Sequence, residues 1–178
     1  TVRVLTLALM VLVAAVLKSR GHEVAIYHDD VSNPRSVPAA PVRLGQVQRR
    51  SLDEECIAPF LAVLEDFAPD VVGMSYRTAE ADTVHDLAGF VRQRGIRLVA
   101  GGVHPSLLPE DEIKVFDAVV VGEGDHPAAA AAFEDFGTEI VRPPLVEDLD
   151  AVVADRGCVI GGERYSPFLT GMVQTQRG

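Results

Sequence analysis

Three short runs, Asp70 to Ser75, Ile96 to Ala100 and Asp117 to Val121, are rich in Val, Ala and Gly and show almost no alternation of polar with apolar residues. A strand with one wet face alternates. A strand covered on both faces does not, and such strands belong to parallel sheets sandwiched between helices. Two further runs, Val2 to Leu7 and His22 to Tyr27, have the same character. Segments with helical spacing separate all five: Leu9 to Ser19 closed by Gly21, Asp53 to Phe67 with Ile57, Phe60, Leu61 and Leu64 on one face, and Ala79 to Arg94 closed by Gly95. A short helix over Glu110 to Phe116 and a last one over Pro127 to Phe136, closed by Gly137, complete the series. The rhythm predicts a doubly wound α/β fold, five parallel strands with helices on both faces, over residues 1–137. Residues 138–178 lack that rhythm, carry Pro143, Pro144 and Pro167, and read as a linker whose Phe168, Leu169 and Met172 need another surface to cover them.

The 178 residues are 48% hydrophobic, enough for one sizeable core and too few for a second full domain. A formal charge of -10 argues against nucleic acid, because binding a phosphate backbone requires a basic face. Cys56 and Cys158 stand far apart and spell neither a disulfide framework nor a metal site, which fits the reducing cytoplasm. The uncharged stretch Val4 to Leu17 is shorter than the ~20 residues that cross a bilayer, so a buried strand running into a buried helix explains it better than a membrane segment. The polar, proline-bearing stretch from Asp29 to Ser51 is longer than most ordered loops and reads as a functional or mobile connection.

In open α/β sheets, ligands bind beyond the carboxyl ends of the strands, where the strand order reverses. At that edge lie Ser75, Tyr76, Arg77 and Thr78 after the third strand, Gly101, Gly102, Val103 and His104 after the fourth, and Gly122, Glu123 and Gly124 after the fifth. Glycine permits close backbone approach and positive φ, so the pairs would let an elongated ligand lie against the sheet, or would simply make tight turns. Other ligands of this fold class are disfavoured by spacing. The first strand is followed by neither G-x-G-x-x-G nor G-x-x-x-x-G-K-[ST], and neither Leu7 to Met10 nor Ser75 supplies the acidic residues of a phosphoryl-receiver site.

The strings LMVLVAAVLKSRGHEVAIY, DVVGMSYRT, LVAGGVHPSLLPE, DAVVVGEGD, EDLD and VQTQRG occur in that order over essentially the whole chain. Together they resemble the amino-terminal cobalamin-binding domain of cobalamin-dependent radical SAM enzymes. The resemblance implies a flavodoxin-like (Rossmann-like) sheet that holds cobalamin (B12). It also implies a radical SAM domain of the same polypeptide following residues 138–178, with a 4Fe-4S cluster and S-adenosylmethionine, and a methyltransferase that uses methylcobalamin. By that resemblance Gly101 and Gly102 leave room for the nucleotide tail of cobalamin, Ser75 hydrogen-bonds it, and Tyr76 and Arg77 sit under or beside the corrin ring. On the residues alone the alternative for Ser75 is a capping or turn residue and for Arg77 a surface ion pair, and His104 reads as a residue that fixes its loop by a hydrogen bond.

Two departures stand against the resemblance. The D-x-H-x-x-G signature that supplies a histidine to cobalt is absent, so cobalt is expected without a protein histidine beneath it and with its own base displaced. The connection after the first strand is reduced to a few residues around Ala8. No catalytic set is visible. His22, His28, His85 and His126 are scattered, His85 is expected on the exposed side of its helix, and Glu54, Glu55, Asp148 and Asp150 read as solvated or capping groups. A degenerate module of the same fold that binds no corrin and serves in docking is the competing reading.

Overall fold

The computed structural model describes residues 1–7, 11–27, 54–135, 137, 139–148, 153 and 157–160. The chain runs β1 (Arg3–Leu7), α1 (Val11–Ser19), β2 (Glu23–Tyr27), α2 (Glu54–Phe67), β3 (Val71–Ser75), α3 (Ala81–Arg92) and β4 (Arg97–Gly101). It continues through α4 (Val103–Leu107), α5 (Pro109–Glu112), β5 (Ala118–Val120), α6 (Ala131–Glu134) and β6 (Ile140–Val141). Single 3₁₀ turns at Thr78–Glu80 and Pro127–Ala130 lead into α3 and α6. All strands pair in parallel, in the order β2-β1-β3-β4-β5-β6. The order reverses between β1 and β3, which puts the ligand-binding edge of this fold class at their carboxyl ends.

The period of two in a strand sorts its side chains into two cores. Val4, Val24, Ile26, Val71, Val99, Ala118 and Val120 face α1 and the Pro127–Glu134 segment, where they pack on Val13, Ala14, Leu17, Ala129 and Phe133. Leu5, Ala25, Tyr27, Val72, Met74, Leu98, Ala100 and Val119 face α2 and α3, where they meet Phe60, Leu64, Ala88, Val91 and Phe116. Val4, Leu5, Val71, Val72, Leu98 and Val119 are wholly buried, as continuous apolar strands require. Truncating a fully buried Leu such as Leu98 to Ala costs about 2–5 kcal/mol. Among the described residues, no helix is long and apolar enough to cross a membrane.

The strands and helices foreseen in the sequence are present, with corrections: the short helix expected over Glu110 to Phe116 spans Pro109–Glu112, and an unforeseen one, Val103–Leu107, precedes it. The sheet has six strands, not five, because Ile140 and Val141 pair with Val119 and Val120. The helices expected over Ala79 to Arg94 and Pro127 to Phe136 each begin as a 3₁₀ turn and are shorter. After residue 137, where the strand-helix rhythm was expected to lapse, described residues reach both sheet edges. Beside β6 at one edge, Val159 bridges Ile26 at the other, where Ile26 N–H donates to Cys158 O at 2.8 Å and Ile160 N–H to Ile26 O at 2.9 Å. Covered edges leave fewer unpaired backbone groups to recruit another chain. The short connection around Ala8, the stretch Asp29 to Ser51, and Pro167, Phe168, Leu169 and Met172 lie outside the described residues.

The helix α1 is pinned to α6 by charge. Arg20 donates to both carboxylate oxygens of Glu134 at 2.6 Å, and His22 Nε2 lies 2.6 Å from Glu134 Oε1. The other ring nitrogen of His22 accepts the Val2 N–H at 3.1 Å, so one histidine ties β1 to the same cluster. The Arg20 guanidinium, helped by His22, holds the Glu134 carboxyl down to about 2, against an ordinary 4.5. A carboxyl depressed on folding stabilises the fold above its unfolded value, and that stabilisation is lost as pH falls toward the folded one. Chemical denaturation is therefore expected to show a stability loss between about pH 4.5 and about pH 2 that is reduced in Glu134→Gln; an identical profile in the variant contradicts this assignment.

Candidate functional site

On the α1 side of the sheet, at the carboxyl ends of β3, β4 and β5, lies a cavity of about 210 Å³ lined by Val13, Ser75, Gly101, Gly122, Gly124 and Phe133, among others. Strand parity explains its lining. Ser75, Gly101 and Gly122 continue the rows Val71, Val99 and Val120, which point at this face. Where those rows reach the edge, the side chains shrink to a hydroxymethyl group and two hydrogens, and space opens between the sheet and Phe133. A Cβ on Gly101 would lie 4.0 Å from Val120 Cβ, in ordinary contact, so the missing side chain there is open room. At Gly124 an added Cβ would come within 3.2 Å of Val13 Cγ2, because α1 closes tightly over this loop. Among the described residues, the Ser75 hydroxyl at the cavity wall has no hydrogen-bond partner.

Gly102 answers to the protein rather than to open space. Its φ is +93°, and a Cβ would lie 2.7 Å from Ser75 Oγ and 2.9 and 3.0 Å from the backbone N and O of Tyr76. The chain leaving β4 is here laid against the chain leaving β3. Tyr76 N–H donates to Gly101 O at 3.2 Å, and His104 N–H donates to Tyr76 O at 3.2 Å. Gly122, at φ +90°, has open space where its Cβ would be. Ser106, which the sequence reading passed over, joins the two loops: its hydroxyl donates to Gly102 O at 2.7 Å and accepts the Gly122 N–H at 2.9 Å.

The opposite face carries a buried polar cluster. Tyr76 is one residue out of phase with Ser75 and points into the core between the sheet and α3. Its hydroxyl donates to the carboxylate of Glu112, which is 2% exposed. His85 Nε2 lies 2.9 Å from the same carboxylate oxygen, and His104 Nε2 lies 3.1 Å from the other. His104 Nδ1 sits 3.1 Å from Thr78 Oγ1, so both of its ring nitrogens are engaged. Burial, and then the Glu112 carboxylate, push the Tyr76 phenol far above its ordinary range, which keeps it a hydrogen-bond donor. A buried carboxylate needs such donors, and three elements supply them. His85, expected on the exposed side of its helix, instead turns toward Glu112. Glu112 itself carried no signal beyond its place in an acidic run.

The remaining residues singled out in the sequence lie on the rim. Arg77 is 76% exposed and pairs with Glu80 at 2.7 Å, while Glu80 also accepts the Arg77 N–H at 2.9 Å, a reciprocal contact at the start of the helix. Val103 stands 60% exposed beside Leu107 at 69% and Leu108 at 46%, so the lip of the edge is apolar. The Glu123 carboxylate accepts the Val146 N–H at 2.8 Å and fastens the stretch after β6 to the fifth loop. Ser75, Gly101, Gly102, Gly122 and Gly124 thus share one cavity. The side chains of Tyr76 and His104 face the other core, and those of Arg77 and Val103 face solvent. Among the described residues no group of three or more His, Cys, Asp and Glu could hold a metal ion.

The two adjacent glycines therefore differ. Gly102→Ala is expected to cost about 2 kcal/mol or more, through positive φ and the clash with Tyr76 backbone, whereas Gly101→Ala changes stability by less than about 1 kcal/mol. Urea denaturation of the two variants checks this, and equal stabilities would contradict the packing described.

Comparison with known proteins identifies the family. The sequence pattern of the B12 binding domain matches residues 4–132. Over 57 residues the chain is 42% identical to the bacteriochlorophyllide d C-8(2)-methyltransferase of Chlorobaculum tepidum, a stretch covering 32% of this chain and 13% of that enzyme. The chain therefore matches only a small part of that relative's length. Among solved structures, MurG of Acinetobacter baumannii superposes over 84% of this chain and 47% of its own, with a TM-score of 0.44 and 11% identity. With the family pattern spanning most of the sheet and all three loops of the cavity, the chain belongs to the B12-binding domain family.

Proposed function

We propose that this chain is the cobalamin-binding part of a B12-dependent radical SAM methyltransferase, and that the cavity beneath Ser75 and Gly101 takes the nucleotide tail of the cofactor. The observation that carries the reading is the cavity itself. At about 210 Å³ it is smaller than the roughly 300–1,000 Å³ of sites for whole drug-sized ligands. It therefore fits one end of an elongated ligand. The lining fits a flat heteroaromatic group: Val13 and Phe133 offer apolar walls, the glycines offer bare backbone, and the Ser75 hydroxyl, without a partner among the described residues, offers a polar group to a ring nitrogen or ribose oxygen. Outside the cavity, the apolar lip of Val103, Leu107 and Leu108 and the rim residues Arg77, Thr78 and Glu123 would face the corrin.

When bound, cobalamin supplies a methyl group held on cobalt for transfer. The residues of this chain bind and orient it. A tail buried in the cavity cannot also reach cobalt, and His104 is engaged at both ring nitrogens by Thr78 and Glu112. On this reading the cofactor would be held base-off, and His104, already engaged, would not be offered to it as a ligand. The 4Fe-4S cluster and S-adenosylmethionine belong, on this reading, to a radical SAM domain of the same polypeptide. The methyltransferase relative, matched over 13% of its length, supports the methyl-transfer part of this reading.

Mixing the folded protein with hydroxocobalamin and desalting it tests the reading. Wild type is expected to retain the colour with a base-off spectrum, and Gly101→Val, whose branches enter the cavity, to lose it without unfolding. A folded wild-type sample that retains no corrinoid overturns the cofactor assignment and leaves the docking module.

A further inference from the structure

Ser106 stands on α4, outside every strand, yet its hydroxyl is the polar link between the loops that follow β4 and β5. It donates to Gly102 O at 2.7 Å and accepts the Gly122 N–H at 2.9 Å. Both partners are glycines at positive φ, +93° and +90°, and both line the cavity. The two contacts use the hydroxyl's only proton and one of its lone pairs. The loops differ in how they are otherwise held. Gly102 is wedged against the Tyr76 backbone, so its position is set by packing. Gly122 has nothing within 4 Å of where a Cβ would be; the bond from Val121 N–H to Val141 O anchors the β5 exit to β6, and the Ser106 hydroxyl ties it to the β4 exit. That hydroxyl spans the two exits between which the cavity lies, and so helps to set its width.

We propose that Ser106 is a positioning residue for the nucleotide tail, a proposal that rests on the cobalamin reading above. It touches the cavity through the two glycines. Its effect is therefore on the part of the ligand that enters the cavity and not on the corrin outside it. Cobinamide, a corrinoid that lacks the nucleotide, separates these contributions.

The test is titration of this chain and its variants with hydroxocobalamin and with diaquocobinamide, followed by absorbance, together with thermal denaturation of each ligand-free protein. Ser106→Ala is expected to weaken cobalamin binding several-fold, about the net scale of one hydrogen bond whose exposed N–H partner can turn to water, and to leave cobinamide binding unchanged. Ser106→Thr, which keeps the hydroxyl, is expected to restore most of the affinity for cobalamin. Ser106→Cys, close in size but a poor hydrogen-bonding group, is expected to fall between the two and provides the comparison if the alanine variant does not fold. Unchanged cobalamin affinity in folded Ser106→Ala overturns the proposal while sparing the cofactor reading. Equal weakening for both corrinoids overturns it as well, because it assigns Ser106 to general stability. Failure of wild type to bind cobalamin at all overturns the reading beneath it.

Discussion

The chain leaving β4 passes so close to the chain leaving β3 that no side chain fits between them. Gly102 lies where a Cβ would come within 3.0 Å of three atoms of Ser75 and Tyr76. Two strand exits are thereby locked together by backbone contact and by the bonds from Tyr76 N–H to Gly101 O and from His104 N–H to Tyr76 O. The rest of the edge depends on this lock. It fixes Ser75 on one side of the sheet and Tyr76 on the other, and it sets the point from which Ser106 reaches across to the fifth loop.

The two faces of the sheet then carry different tasks. On the α1 side the residues at the strand ends are small, and a cavity opens over Ser75 and Gly101. On the α3 side the edge is filled by Tyr76, His104, His85 and Glu112 in a buried hydrogen-bonded cluster. Such a cluster is costly when any member lacks a partner and specific when all are satisfied. Here it braces the loops from behind while leaving the other side free for a ligand. The ion pair of Arg20 with Glu134 holds α1 and α6, and hence Val13 and Phe133, over the open side.

Much of this was legible in the sequence. Continuous apolar runs gave the parallel sheet, since burial on both faces removes the need for alternation, and glycine at the ends of three strands marked the edge. Ser75 and the glycines of the cavity were found because bare backbone has a composition of its own. Other features follow from spatial relations that composition does not record. Strand parity separates Ser75 from Tyr76, and it becomes readable only once the strand's phase is set by the row Val71, Gly73 and Ser75. Glu112 sits in an ordinary acidic stretch and acquires meaning from partners eight to thirty-six residues away. Ile140 and Val141 are too short a run to stand out, and Val159 joins β2 by a single bridge. Arg77 illustrates a local competitor, because Glu80 three residues on claims it at the start of the helix.

On the proposed function, the nucleotide tail occupies the cavity on the α1 side of the sheet. Intermolecular NOEs from the benzimidazole methyl groups of bound cyanocobalamin to methyl- and aromatic-labelled protein test it most directly. The account predicts cross-peaks to Val13 and to the ring of Phe133. Cross-peaks to Phe116 or Leu98 on the opposite face, or bound cobalamin whose benzimidazole contacts neither Val13 nor Phe133, would contradict it.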